Sequence, residues 1–330
     1  MSLDHPAIIG LGSPLVDLCI QVDDAFLAEH VPGAKGGMEL VSAAEIGRML
    51  AAHGGMPAQA PGGSACNVLA GCANLGIAAA FIGCTGDDDL GEFMRMSLAV
   101  QGVDARLVVR DAAPTGRVLA MVTPDAQRTF RTCLGAASTL SADEVSPEAF
   151  AGTRFVVMEG YSCYDHGLVR AIAAATREAG SELVLDFASH EVVRANQAMF
   201  AELMAAGLVG GAILNQDEAA AWSHGDPRAA LDDIAPMVRF AAVKIGAEGA
   251  WLRRGSEKLH TPGIPAKAID TNGAGDAWLA GLLCAMVRGC PLDVCGELAA
   301  RAGAAAVEVV GAQVPRHQWR EIRGRLDAWS

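Results

Sequence analysis

Short runs of consecutive apolar residues, each closed by glycine or a polar residue, recur along the chain between longer amphipathic stretches. AIIGLG (7–12), AAFIGCTG (79–86), FVVMEG (155–160), ELVLDFA (182–188), GAILNQ (211–216) and AAVKIG (241–246) have the length and composition of strands buried on both faces. LVDLCIQV (15–22) alternates and reads as a half-exposed strand. Helices are predicted over 42–53, where Ser42 and Glu45 form a capping box, over 88–102 and near 292–309. PGGSACNVLAGCANLG (61–76) reads as a glycine turn feeding a helix of small apolar residues, which must be buried on most faces. Strand and helix alternate from 155 onward, the pattern of a parallel sheet covered on both sides. Residues 105–133 differ: three β-like runs split by turns at Ala113–Gly116 and Pro124-Asp125 suggest an antiparallel meander. With 15–22 and the Gly-rich 32–40 stretch, it would make a small sheet beside the main one.

The expectation is therefore α/β, with a central mostly parallel sheet and a small β-sheet beside it. The 330 residues, 52% of them hydrophobic, suit one domain over 1–330. A net charge of −13 argues against nucleic-acid and anionic-membrane partners, which call for a basic face. Nine scattered cysteines without a CxxC pair read as reduced, buried thiols. Eight scattered histidines offer no zinc spacing. The first residues lack the order of a signal peptide, and no apolar run reaches membrane-spanning length, so a cytoplasmic protein is expected.

Chemistry concentrates in AIDTNGAGDAWLAGLLCAM (268–286). Gly273-Ala274-Gly275 opening an apolar helix would offer unpaired backbone N–H groups and the positive end of the helix dipole to an anion. Asp276 would then stand at the anion site. A carboxylate there is repulsive unless it accepts a proton from a hydroxyl that attacks phosphorus. An acid in a first turn is also a common helix start, and spacing alone does not separate the two. In open α/β sheets ligands lie beyond the carboxyl ends of the strands. Asp17, Glu159, Asp186, Asn215 with Glu218, and Gly246 all fall at such predicted ends.

Rival phosphate motifs fail. None of the lysines, Lys35, Lys244, Lys258 and Lys267, sits in a G-x-x-x-x-G-K-[ST] frame. Gly10-Leu11-Gly12 lacks the third glycine of a dinucleotide fingerprint, which disfavours a dehydrogenase. Asp186-Phe187-Ala188 is not the protein-kinase DFG.

Asp270-Thr271-Asn272-Gly273-Ala274-Gly275-Asp276 resembles the DTxGAGD signature of the PfkB, or ribokinase-like, carbohydrate kinases. Pro61 to Asn67 resembles that family's GGxxxN signature, Asn215 to Glu218 its NxxE motif, and VKIGAEGAWL (243–252) its nucleotide-bordering turn. The order and spacing fit nearly the whole chain. The resemblance implies a three-layer αβα sandwich with a β-sheet lid, here about 14–23, 34–41 and 104–134. It implies an ATP- and Mg²⁺-dependent kinase with Asp276 as base and the backbone of Gly273, Ala274 and Gly275 as anion hole. Asp17, Gly63, Asn67 and Glu159 would contact the acceptor. Asn215 and Glu218 would organise phosphate and Mg²⁺ through water; Lys244, Gly246, Gly249 and Thr271 would border ATP. A non-catalytic sensor on the same scaffold would not need Asp276.

The expected acceptor is the hydroxymethyl group of a sugar, with a nucleoside as the alternative. Gly12 to Asp17 resembles the GNPLxD opening of adenosine-kinase-type members with Ser13 in place of Asn, and 186–196 departs from the DxNxR of many sugar kinases. Phe130, Tyr161 and Phe187 are the candidates for a base slot. Arg128 and Arg131 flank the lid, as phosphate contacts or as solvated side chains. The resemblance further suggests a monovalent cation such as K⁺ at Asp270 and Thr271, against 311–314. An exposed lid edge invites a homodimer.

Overall fold

The computed structural model describes residues 5–125, 127–223 and 225–329. Ala126 of the expected lid and the first four residues lie outside that set. Strands are β1 (Ile8–Leu11), β2 (Leu15–Gln21), β3 (Met38–Leu40), β4 (Ala58–Gly62), β5 (Ala79–Gly86), β6 (Val103–Arg110), β7 (Gly116–Val122), β8 (Arg128–Cys133), β9 (Phe155–Glu159), β10 (Glu182–Asp186), β11 (Gly211–Asn215), β12 (Phe240–Lys244), β13 (Ala250–Arg254) and β14 (Glu257–Thr261). Helices are α1 (Asp24–His30), α2 (Ala43–His53), α3 (Ser64–Asn74), α4 (Asp89–Gln101), α5 (His166–Glu178), α6 (His190–Ala205), α7 (Gln216–Ser223), α8 (Pro227–Ile234), α9 (Ala274–Val287), α10 (Leu292–Val307) and α11 (Arg316–Asp327).

The large sheet has nine strands in the order β14-β13-β12-β11-β10-β9-β1-β5-β6, parallel except for the hairpin that adds β13 and β14. Successive residues of β1 serve opposite sides: Ile8 joins the core under α3, α9 and α10, Ile9 the core under α5 and α6. Helices thus cover both faces, as the doubly apolar strands require. Connections run one way from β1 to β5 and the other way to β9, which makes the carboxyl ends of β1 and β9 the switch point where such sheets bind ligands.

The second sheet, ordered β3-β8-β7-β2-β4, is the expected lid with two corrections. The meander over 105–133 does not form. Its first run is β6, which pairs in parallel with β5 at the edge of the large sheet, leaving β7 and β8 as the lid hairpin. A strand that follows a helix returns by a right-handed crossover to the sheet it left, and α4 supplies that crossover. The lid instead takes β4, where Ala-Gln-Ala-Pro-Gly shows no apolar alternation, antiparallel to β2. Asp17 therefore lies in the middle of a lid strand, not at the end of a main-sheet strand.

The lid has two unlike faces. Val16, Leu18, Ile20, Leu119 and Met121 point to one side and are buried in the same core as Leu27 of α1 and Ile46 and Met49 of α2. Arg131 shares that side and is fully buried, donating to the carbonyls of Pro32, Ala34, Gly37 and Phe130. It staples the Gly-rich segment and is neither solvated nor a phosphate contact. The registers place Asp17, Cys19, Ala60, Val118, Ala120, Arg128 and Phe130 on the other, uncovered face.

Candidate active site

Helices α3 and α9 carry the centre of the site, and their small residues explain how closely they lie. A Cβ on Gly71 would stand 2.7 Å from that of Ala280, so only glycine there lets the helices meet. Leu279, Leu282 and Leu283 anchor α9 in the core, each contributing about 1.5–3 kcal/mol of burial. Gly273 caps α9 at φ 73°, and a Cβ there would come within 2.5 Å of that of Ala312, so two constraints select glycine.

Close packing brings Asp276, in the first turn of α9, against the start of α3. Ser64 Oγ donates to Asp276 Oδ1 at 2.7 Å and Asn67 Nδ2 donates to Oδ2 at 2.9 Å. Burial pushes the carboxyl up to about 6, with Asp186 adding to the rise, while the two hydrogen bonds and Lys244 pull it down. The result is a carboxylate that is ionised at neutral pH yet basic enough to take a proton. The N–H groups of Gly273 and Gly275 have no partner among the described residues, as an anion hole needs. That of Ala274 is used within the loop, donating to the Thr271 carbonyl at 3.3 Å.

Lys244, at the end of β12, extends to the same helix start. A Cβ on Gly275 would lie 3.1 Å from its Nζ, and Asp186 Oδ2 is 3.7 Å from that nitrogen. Burial works against the ammonium, but Asp186, Glu218 and Asp276 outweigh it and hold the lysine charged. Asn215 and Glu218 close a reciprocal box: Asn215 donates through N (2.8 Å) and Nδ2 (2.6 Å) to the Glu218 carboxylate, and Glu218 N donates back to Asn215 Oδ1 at 2.9 Å. Burial, then Asp186, raises the Glu218 carboxyl. Buried acids crowded in this way fit a divalent cation held through water. Gly246 and Gly249 shape the turn after β12; a Cβ on Gly249 would lie 2.0 Å from the Thr261 carbonyl oxygen.

Asp17 hangs from the inner face of the lid with no hydrogen-bond donor in reach among the described residues. Burial pushes it up to about 6, and Arg128 opposes the rise. Gly63 starts α3 at φ 96°, where a Cβ would strike the Ser13 carbonyl oxygen at 2.2 Å. Two expected acceptor contacts prove to be engaged within the protein. Asn67 holds Asp276 and accepts from Gln313 Nε2 at 3.3 Å. Glu159, at the switch point, accepts from Ser13 N (2.7 Å) and Ala65 N (3.1 Å), tying the end of β1 to the start of α3; burial raises its carboxyl to about 7. Of the proposed base slot, Phe187 is a core residue packed on Phe200 and Trp222, whereas Phe130 stays on the inner face of the lid. Ser64 and Gln313 escaped sequence reasoning. Ser64 stood inside the quoted Pro61–Asn67 motif, but nothing in the sequence marked its partner.

Known proteins share the fold and part of the sequence of this chain. The family matched over residues 39–319 is described as pfkB family carbohydrate kinase. An aminoimidazole riboside kinase of Salmonella typhimurium is 31% identical over 242 residues, covering 69% of this chain and 74% of the relative. The crystal structure of adenosine kinase from Sinorhizobium meliloti superposes with a TM-score of 0.85 at 30% identity, over 97% of this chain and 99% of that one. A probable sugar kinase from Rhizobium etli gives 0.87 at 28% identity, over 98% and 99%.

Proposed function

The chain belongs to the pfkB family of carbohydrate kinases, and from that membership we propose that it transfers the γ-phosphoryl of ATP to a primary hydroxyl on a sugar unit, with Asp276 as base. One observation carries the reading: a buried carboxylate, held by Ser64 and Asn67, stands at a helix start where the Gly273 and Gly275 N–H groups have no partner among the described residues and whose neighbour is the Lys244 ammonium. The acceptor O–H bond breaks and its proton passes to Asp276 as the oxygen bonds to the γ-phosphorus. The bond from that phosphorus to the bridging oxygen breaks, and ADP leaves with the electron pair. Gly273 and Gly275 N–H groups and Lys244 stabilise the charge on the transferring oxygens. Glu218 and Asp186 would hold the magnesium that accompanies ATP through water, and the ion would supply further charge neutralisation. Closure of the lid excludes water as a competing acceptor.

Within that reading, the inner face of the lid favours a nucleoside over a free sugar. Beside Asp17, Arg128 and Thr132 it presents Cys19, Ala60, Val118, Ala120 and Phe130, a surface with an apolar majority. A free sugar carries hydroxyls all round and would leave them unpaired against that face. A nucleoside offers a diol for Asp17, which accepts no hydrogen bond among the described residues, and a flat apolar base for the rest. The test is ADP release with Mg-ATP against adenosine, other nucleosides, ribose, fructose and phosphosugars, run beside Asp276→Asn. Turnover with a nucleoside, lost in the variant, supports both statements. Turnover with ribose or fructose alone keeps the kinase and rejects the nucleoside. Turnover unchanged in Asp276→Asn removes the base.

A further inference from the structure

Asp270 heads the loop that ends in the Gly273–Gly275 turn, and its carboxylate takes three donors, two of them on Oδ2. Oδ1 accepts from Asn272 N at 3.1 Å; Oδ2 accepts from Gly311 N at 2.7 Å and pairs with Arg128 Nη2 at 2.8 Å. Two of these donors are backbone and local to the loop and its neighbour. The third comes from the lid: Arg128 opens β8 and shares the inner face with Asp17. This is the single ion pair between the lid sheet and the 270–276 loop among the described residues. It is well shielded, with the two side chains 28% and 12% exposed.

The resemblance that suggests a monovalent cation at Asp270 and Thr271 meets a donor set here that does not fit one. Such an ion needs a carboxylate with free lone pairs, ringed by other oxygens. Asp270 Oδ2 already carries a guanidinium, and Gly311 turns an N–H toward it rather than its carbonyl. A second cation would sit beside Arg128 at contact distance and be repelled.

We propose that Arg128 takes the place of a monovalent cation at this loop: a charge carried by the lid neutralises Asp270 and steadies the turn that presents the Gly273 and Gly275 N–H groups. Arg128 is a positioning residue for phosphoryl transfer, acting through Asp270, and the inference rests on the kinase reading above. It follows that the protein needs no K⁺, and that the charge neutralising Asp270 is in place only while the lid is down. Loop order and acceptor enclosure are thereby coupled through one contact.

The experiment compares wild type, Arg128→Met and Arg128→Lys in tetramethylammonium and in potassium chloride at equal ionic strength, by turnover and by melting temperature. Wild type is expected to show the same kcat and the same melting temperature in both salts. Arg128→Met is expected to lose about tenfold in kcat without potassium. Potassium, but not tetramethylammonium, should restore much of that loss and raise its melting temperature, because an ion that binds the folded state stabilises it. Arg128→Lys should fall between the two. Potassium activation of wild type overturns the proposal. So does a loss in Arg128→Met that potassium leaves untouched, or no loss at all. Should no acceptor be turned over, the kinase reading fails on its own, and the melting comparison still decides whether Arg128 stands in for the ion.

Discussion

Asn67 and Asp276 lie 209 positions apart, and Asn67 Nδ2 donates to Asp276 Oδ2 at 2.9 Å, so the asparagine orients the carboxylate proposed as base. Ser64 fixes the other oxygen from the same helix at 2.7 Å. Both bonds exist because glycine and alanine let α3 and α9 touch.

Asp276→Asn keeps shape and both partners but removes the proton acceptor. Its kcat should fall by about 10²–10⁴, the range for a general base, with ATP binding retained. Single-turnover ADP release together with nucleotide titration checks this. Weakened ATP affinity with kcat unchanged would reject the assignment.

Asn67→Ala leaves Asp276 with one hydrogen bond. Hydrogen bonds to the ionised form hold its pKa down, so their loss moves it up from about 6. The acid limb of kcat/KM should shift to higher pH, and kcat at neutral pH should drop by about tenfold as the base loses its aim. A pH–rate profile reads both. An asparagine that only contacts the acceptor would raise KM and leave the limb in place.

Stability should run against activity at this site. Burial raises the Asp276 carboxyl to about 6 from an ordinary 3.8, and the Glu159 carboxyl to about 7 from 4.5. The folded state holds these protons more tightly. Their contribution is complete below the ordinary values and is lost as pH rises through the folded ones. Wild type without ligand should therefore melt progressively lower from about pH 5 to about pH 8 on account of these groups. Asp276→Asn should flatten part of that slope and be more stable by about 1–3 kcal/mol at the upper end. Calorimetry at the two pH values measures it; equal slopes in the two proteins would contradict the buried charge.

Lys244→Met strips the ammonium from beside Gly275 and leaves Asp186 and Glu218 uncompensated. The kcat should fall by about 10²–10³, as for loss of one charge-stabilising donor. Arg in its place should not restore it, because the cleft between Gly275 and Asp186 accommodates a narrow ammonium. Steady-state kinetics of both variants decide.

Gly71→Val tests the helix contact away from the chemistry. The added methyls meet Ala280 and Trp319 and push α3 off α9, at about 1–3 kcal/mol. Activity should fall further than stability alone accounts for, since Ser64 and Asn67 move with α3. Full activity in a destabilised but folded variant would show that their positioning is dispensable.

Much of this was legible beforehand. The strands β1, β5, β9, β10, β11 and β12 follow from runs apolar on both faces, because only a sheet covered twice needs them. The capping box at Ser42 placed α2, and the loop before α9 announced its chemistry through residue types. Strand β4 was not legible, since its backbone pairing is provided by β2 and not by its own side chains. Strand β6 was misplaced because an exposed edge strand of a parallel sheet and a meander strand share one alternation.

The sequence by itself determined the class of fold and the glycine turn that opens α9, because these depend on local periodicity and glycine geometry; the roles of the residues around that turn came from the family resemblance. Which group holds which was decided only in three dimensions. Asn67 turned to Asp276, Glu159 to the backbone of Ser13 and Ala65, Lys244 to Asp186, and Arg128 across the cleft to Asp270. Each pair joins elements remote along the chain. Their meeting depends on how helices stack and how the lid lies over the sheet, and no local pattern of residues encodes that distance.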